Sequence, residues 1–258
     1  MSVARPFPSE RTAVVTGAGS ARGIGRAVCR HLARDGWAVA MLDVDPASLK
    51  ASVEDLHAEF DVPIVGCEAD ITNEAKIHEV VTTIERDMPP IVGLANVAGI
   101  SSPTAFLDMT TREWDRVMDV NIRGQYLITR RIVPGMVERG LGRIVNVSSA
   151  SAQRGGGTYS KVAYSAAKAA VLGLTRALAR EVGVLGVTVN AVSPGPIDTD
   201  IMGGTLSDER RAEILKELVV DRLGTVDDVA AVIVFLLSEQ AGYITGATYN
   251  VNGGLIID

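Results

Sequence analysis

The 258-residue sequence contains only two cysteines, Cys29 and Cys67, with no pairing pattern between them. A disulfide framework is therefore excluded as the basis of its stability. The three histidines, His31, His57 and His78, are scattered through predicted helices without metal-ligand spacing, so no metal site is expected. Packing or surface roles are assigned to all five residues. No apolar run approaches the roughly 20 residues needed to span a bilayer, and the stretch Ala230 to Leu237 has only the length of an amphipathic helix. The opening MSVARPFPSER lacks a hydrophobic segment of the secretory kind, which makes a cytoplasmic address the expectation. Excess positive charge is missing too: the net charge is −6 and the pI about 5.2, with Lys and Arg spread among acids. Nothing in that balance favours nucleic acid or an anionic membrane as a partner. Repeats, linkers and low-complexity tracts are also absent, so residues 1–258 read as one domain.

What is present is an alternation of buried strands and helices. A chain of this length can bury about 70–75% of its unfolded surface around one core. Apolar runs at Ala13–Thr16, Trp37–Leu42, Pro63–Cys67, Ile91–Ala95, Ile144–Val147 and Val187–Val192 read as strands, and the segments between them carry helical periodicity. A further strand is expected over Ile244–Val251, after an amphipathic helix at Val226–Ser238. Strands alternating with helices imply right-handed crossovers and a parallel sheet covered on both faces. The fold class is α/β: a single-domain, doubly wound parallel sheet of the Rossmann kind. Its ligand crevice is expected at the carboxyl ends of the strands.

The first strand runs into Gly17-Ala18-Gly19-Ser20-Ala21-Arg22-Gly23-Ile24-Gly25 and then a helix beginning near Arg26. A glycine-rich turn between strand and helix lets the backbone approach a pyrophosphate while the helix N-terminus offers unpaired N–H groups. The second strand stops at Asp43, an acid placed to accept hydrogen bonds from an adenosine ribose and to repel the extra phosphate of NADP.

The densest chemistry lies between Asn146 and Lys168, NVSSASAQRGGGTYSKVAYSAAK. Residues four apart on a helix share a face, so the Lys168 ammonium lies one turn along from the Tyr164 phenol. A free phenol titrates near 10, and bringing it close to neutrality needs roughly three units, or about 4 kcal/mol. One cation about 4 Å away at an effective dielectric of about 20 supplies on the order of that amount, before side-chain distance and desolvation of the lysine are discounted. Lys168 is thus expected to lower the pKa of Tyr164. By itself such a pair is commonly a packed phenol beside a solvated amine; its surroundings raise its significance.

Together with Ser149, at the end of the preceding strand, this pair resembles the Ser, Tyr and Tyr-x-x-x-Lys centre of the short-chain dehydrogenase/reductase family. The resemblance runs from Thr12 to about Leu255, with the motifs in the family's order. It implies an NAD(P)-dependent oxidoreductase acting on CH–OH groups. Tyr164 would be the acid/base, Lys168 would bind the nicotinamide ribose, Ser149 would hold the substrate oxygen, and Asn121 would hold a proton-relay water through its carbonyl. The family spacing of thirteen residues before the tyrosine selects Ser151 instead. The strand register selects Ser149, because the loop over 155–160 looks two residues longer than usual, and Ser151 is kept as its competitor.

The resemblance places the dinucleotide against Gly17, Gly19, Arg22, Gly23, Ile24 and Gly25, then Asp43, Asp70 and Ile71 around the adenosine. Asn96, Ala98 and Gly99 would lie under a ribose, and Pro194, Gly195, Ile197 and Thr199 would fix the nicotinamide. The family spacing Thr-Gly-x3-Gly-x-Gly is not met from Gly17, which leaves five intervening residues, but is met from Gly19; Gly23 and Gly25 survive either alignment. Val97 stands where the family usually has a second asparagine. Asp43 makes NAD the expected cofactor, and Arg22 is the residue that keeps NADP open.

Residues 200–221 are expected to form a substrate lid, with Gly203 and Gly204 as hinge. The alanine-rich Tyr164 helix and the final strand are expected to form two subunit interfaces of a homotetramer. The substrate is expected to be a small-molecule alcohol or ketone. Gln153, Arg154, Thr158, Tyr159 and Ser160 near the mouth lean the reading toward a sugar, polyol or hydroxy acid. The rivals are an NADPH-dependent 3-oxoacyl-thioester reductase and a non-catalytic dinucleotide-binding regulatory scaffold.

Overall fold

A computed structural model describes residues 6–157, 159–199, 201 and 207–257. Its centre is a seven-stranded sheet of β1 Thr12–Thr16, β2 Ala38–Asp43, β3 Ile64–Glu68, β4 Ile91–Asn96, β5 Gly142–Val147, β6 Val187–Pro194 and β7 Thr248–Val251. Every pairing is parallel and the spatial order is β3-β2-β1-β4-β5-β6-β7. The order reverses between β1 and β4, so their carboxyl ends diverge there and open a crevice.

Successive strand residues point to opposite faces, and both faces are dry. Ala13 and Val15 of β1, with Val39 and Met41 of β2, join a core beneath α1 Ile24–Arg34, α2 Pro46–Glu59 and a later helix, Val226–Leu237. Val14, Ala40, Leu42 and Ile144 face the other way into a second core, under α3 Glu74–Asp87 and two further helices. On that side, α4 Thr111–Met118 passes through a π-helical turn, Asp119–Arg123, into α5 Gly124–Arg139. After β5 come a short helix, α6 Ser151–Arg154, and the long α7 Val162–Val182. The chain then adds α8 Asp208–Leu215 and α9 Val226–Leu237.

Side-chain oxygens cap most of these helices: Asp45 on α2, Asn73 on α3, Thr110 on α4, Ser207 on α8 and Thr225 on α9. Such caps satisfy amides that the first turn leaves unpaired. The N-terminus of α1, at Gly23, has no side-chain cap and no acid in its first turn.

Two segments differ from the sequence expectation. The last strand begins at Thr248 rather than Ile244, because Gly246 adopts a left-handed φ of +72° and the preceding residues are tied to β6 as a turn. Thr245 Oγ1 accepts from Val189 N–H at 3.1 Å, and Asn190 Nδ2 donates to the Ile244 carbonyl at 2.8 Å. The glycine-rich stretch before α7 contains α6, ended by Gly155. Among the histidines, His31 pairs with Asp227 and His57 meets the Ile64 carbonyl, while Cys29 is buried and Cys67 half-buried. No helix among the described residues is long and apolar enough to cross a membrane.

Candidate active site

The loops after β1 and β4 meet at the topological switch point. Gly17 ends β1 with φ +68°, and a Cβ there would stand 2.8 Å from the Ala98 Cα. Thr16, whose role sequence reasoning missed, locks this approach: its Oγ1 accepts from the N–H groups of Val97 and Ala98, both at 3.1 Å. Gly25 packs so tightly on Gly17 that any side chain would collide with the Gly17 carbonyl. Gly19 donates its N–H to Asp43 Oδ2 at 2.8 Å, and Gly23 closes a turn onto the Ser20 carbonyl at 3.0 Å. The lengthened loop therefore uses both glycines that the two alignments offered, Gly17 at the strand end and Gly19 against Asp43. Ile24 opens α1 and packs on the first core.

Several sequence-predicted residues have other tasks in the structure. Arg22 turns to Asp198, with Nη2 2.5 Å from Oδ1, rather than toward the end of β2. The Asn96 side chain points into the core, where its Nδ2 donates to Thr129 Oγ1 at 2.9 Å and to Asn146 Oδ1 at 2.8 Å, tying β4 to α5 and β5. Asp70 is exposed and accepts from the Thr72 N–H and hydroxyl, a local turn before α3, while Ile71 packs against Gly124. Thr199 directs its hydroxyl to the Ile197 carbonyl at 3.4 Å, and Ile197 is buried. Gln153 faces the Ser193 hydroxyl. Thr158, Asp200 and the hinge pair Gly203 and Gly204 lie outside the described residues.

The structure does bring Tyr164, Lys168, Ser149 and Asn121 together. Tyr164 enters through α7, its ring packed with Val117, Ala163 and Ala167 and flanked by Trp114 of α4. Ser149 is the serine whose side chain acts on this phenol, pulling its pKa down. Ser151 instead shares a 2.7 Å hydrogen bond with Ser160 and donates its backbone N–H to Ser149 Oγ at 3.1 Å. Both serines line the cavity with Tyr164. Lys168 is fully buried; its Nζ donates to the Val147 carbonyl at 2.9 Å and lies 5.6 Å from the centre of the Tyr164 ring. Ser148 fastens the same helix to β5 by donating to the Lys168 carbonyl at 2.8 Å.

Asn121 lies in the π-helical turn between α4 and α5. Its Nδ2 donates to the carbonyls of Ile100 and Val117, both at 2.9 Å, and its Oδ1 is buried without a hydrogen-bond partner. Gly99 makes room beside it: a Cβ there would stand 2.6 Å from that oxygen and 3.2 Å from Lys168 Nζ. A π turn inserted in a helix commonly marks a functional position.

The expected depression of the phenol's pKa is absent. Burial pushes Tyr164 up to about 12, with the Ser149 hydrogen bond pulling the other way, and burial pushes Lys168 down to about 8. Loss of hydration disfavours the charged form of each, phenolate and ammonium alike. The lysine charge is not among the causes of the tyrosine's shift. In the protein alone, desolvation outweighs the pair's attraction.

Tyr164, Ser149, Ser151, Pro194 and Gly195 line one cavity of about 230 Å³, which α8 borders with Arg210 and Glu213. Arg154 and Glu217, an ion pair across its mouth, complete the charged rim with Tyr159 and Ser160 nearby. Pro194 and Gly195 are held from both sides, by Ala150 N–H on the Pro194 carbonyl and by Gly195 N–H on the Val251 carbonyl, each at 2.9 Å.

These residues fit a nicotinamide dinucleotide. The uncapped N-terminus of α1 faces the Gly17–Ala98 approach with free amide donors for a pyrophosphate. Asp43 ends β2 at the ribose position, and the partnerless Asn121 Oδ1 waits beside Lys168. A family model described as "Enoyl-(Acyl carrier protein) reductase" matches residues 17–256. An uncharacterized short-chain type dehydrogenase/reductase of Sinorhizobium fredii is 41% identical over 251 residues, covering 96% of this chain and 98% of its own. An acetoacetyl-CoA reductase of Allochromatium vinosum is 38% identical, with 96% and 99% covered. A 3-oxoacyl-(acyl-carrier-protein) reductase of Aquifex aeolicus is 37% identical, with 92% and 94% covered. The switch-point loops, the Ser149, Tyr164 and Lys168 cluster and these near full-length matches lead to one conclusion: the chain belongs to the short-chain dehydrogenase/reductase family of NAD(P)-binding oxidoreductases.

Proposed function

We propose that this protein transfers a hydride between NAD and a secondary alcohol or ketone, with Tyr164 as the acid/base. The observation that carries the reading is Tyr164 lining one cavity with Ser149, with the buried Lys168 Nζ 5.6 Å from the centre of its ring. Bound nicotinamide supplies the hydride-carrying C4 and, when oxidised, a positive charge. Ser149 and Tyr164 converge on the substrate oxygen; Tyr164 donates its proton when a ketone is reduced and takes it back when an alcohol is oxidised. Lys168 holds the ribose hydroxyls, and Asn121 anchors a water that returns the proton toward solvent. Asp43 receives the adenosine ribose beside Asp70 and Ile71. Gly17, Gly19, Gly23 and Gly25 line the phosphates, while Pro194, Gly195, Ile197 and Thr199 orient the ring. The segment 200–221 acts as the lid; α8 within it has no buried residue, which suits a piece that moves as a unit.

A second reading, an NADPH-dependent 3-oxoacyl-thioester reductase, draws support from the relatives named for such activities. Spectrophotometric assay with NAD(H) and NADP(H) against a panel of alcohols, ketones and acetoacetyl-CoA tests both. Turnover of acetoacetyl-CoA with NADPH and of nothing in the alcohol panel selects the second. Absence of turnover throughout, with dinucleotide still bound, leaves a regulatory scaffold.

A further inference from the structure

The arginines around α8 divide into paired and unpaired. Arg154 is bound to Glu217, and Asp198 is shared by Arg22 at 2.5 Å and Arg211 at 3.7 Å. Arg210, which lines the same cavity as Tyr164 and Ser149, makes no ion pair among the described residues. Its guanidinium carbon stands 4.3 Å from the centre of the Tyr159 ring, and its Nε is buried without a hydrogen-bond partner. Glu213 borders the cavity one turn along α8 and does not pair with it either.

Stacking on an aromatic ring occupies the face of a guanidinium and leaves its N–H donors, all in the plane, directed past the ring. A planar fork of donors matches a carboxylate. The Arg210 guanidinium thus lies over Tyr159 and makes no hydrogen bond or ion pair among the described residues, in the cavity that Tyr164 lines. A cavity of about 230 Å³ accommodates a short substrate together with its acid group.

We propose that Arg210, stacked on Tyr159, is a specificity-determining residue that binds a substrate carboxylate, so that the substrate is a short hydroxy acid or keto acid. The proposal rests on the Tyr164 reading for which carbon reacts, but the carboxylate subsite can be measured without turnover. The probes are acetoacetate and 4-oxopentanoate, each against its methyl ester, titrated by calorimetry into the protein saturated with NAD, in which a ketone cannot be reduced. At least one acid binds about tenfold or more tightly than its ester in the wild type. Arg210→Gln brings that acid-to-ester ratio to about one, and Arg210→Lys, which keeps the charge but loses the fork, falls between. Because α8 buries no residue, these variants are expected to fold, which circular dichroism confirms. Esters binding as tightly as acids, a ratio that survives Arg210→Gln, or no binding by any probe overturns the subsite. Acid-selective binding without hydride transfer in any assay would instead leave the subsite standing and remove the proposed reaction.

Discussion

Ser151 turns its hydroxyl to Ser160 at 2.7 Å and its backbone N–H to Ser149 Oγ at 3.1 Å, so that Ser149 is the serine whose side chain acts on the Tyr164 phenol. Ser151 opens the short helix α6, whereas Ser149 lies before it. Tyr164→Phe is expected to lower turnover about a hundredfold or more while NADH binding, read by fluorescence titration, stays near wild type. Ser149→Ala should lose about as much of kcat, and Ser151→Ala less than tenfold. Equal losses for the two serines would remove the distinction.

Burial of Lys168 makes a prediction for stability. Burial pushes its pKa in the fold down to about 8 from the ordinary lysine value of 10.5, so between those values the unfolded chain holds a proton that the native protein has lost. Unfolding free energy contributed by this group therefore rises with pH through that window and is lowest below it. From about pH 7.5 to about pH 9.5 the rise amounts to about 2 kcal/mol. Urea denaturation at both values, wild type against Lys168→Met, isolates it from the opposing effect of the buried Cys29 thiol, which burial pushes up. A difference between the two proteins that does not change with pH would show that the lysine keeps its charge in the fold.

Cofactor choice turns on Asp43 and Arg22. Asp43 remains an acid at the end of β2, and an unpaired second negative charge beside it readily costs more than about 1.4 kcal/mol, one decade in affinity. NAD is expected to be favoured over NADP about tenfold or more in kcat/KM. Asp43→Ser should shift the ratio toward NADP. Since Arg22 is engaged by Asp198, adding Arg22→Ala should change that ratio by less than about threefold. A wild type that prefers NADP, indifferent to residue 43, would favour the thioester-reductase reading.

A homotetramer is expected from two surfaces. Ala169, Gly173 and Ala177 are exposed along one side of α7, and a Cβ on Gly173 would meet nothing within 4 Å. At the other surface β7 ends the sheet, and the rings of Phe235 in α9 and of Tyr243 between α9 and β7 are exposed. Small residues permit close helix approach, and exposed rings at a sheet edge are costly unless covered. Light scattering at micromolar concentration should return four times the 27.2 kDa chain mass. A monomer would refute both surfaces, and a dimer one of them.

Local pattern determined much of this protein. The β-rich runs, the glycine turn after β1, Asp43 at the end of β2 and the Tyr164 to Lys168 spacing depend on neighbours within a few residues, where strand alternation, helix periodicity and turn chemistry act directly. Tertiary structure decided what depends on distant partners. Arg22 meets Asp198 across 176 positions of sequence, and Asn96 spends its side chain on Thr129 and Asn146. Arg210 reaches Tyr159 only because α8 folds back over the loop after β5. For Tyr164 the helical spacing reports the proximity of a lysine, but the cost of desolvating both groups depends on how completely the surrounding elements exclude water.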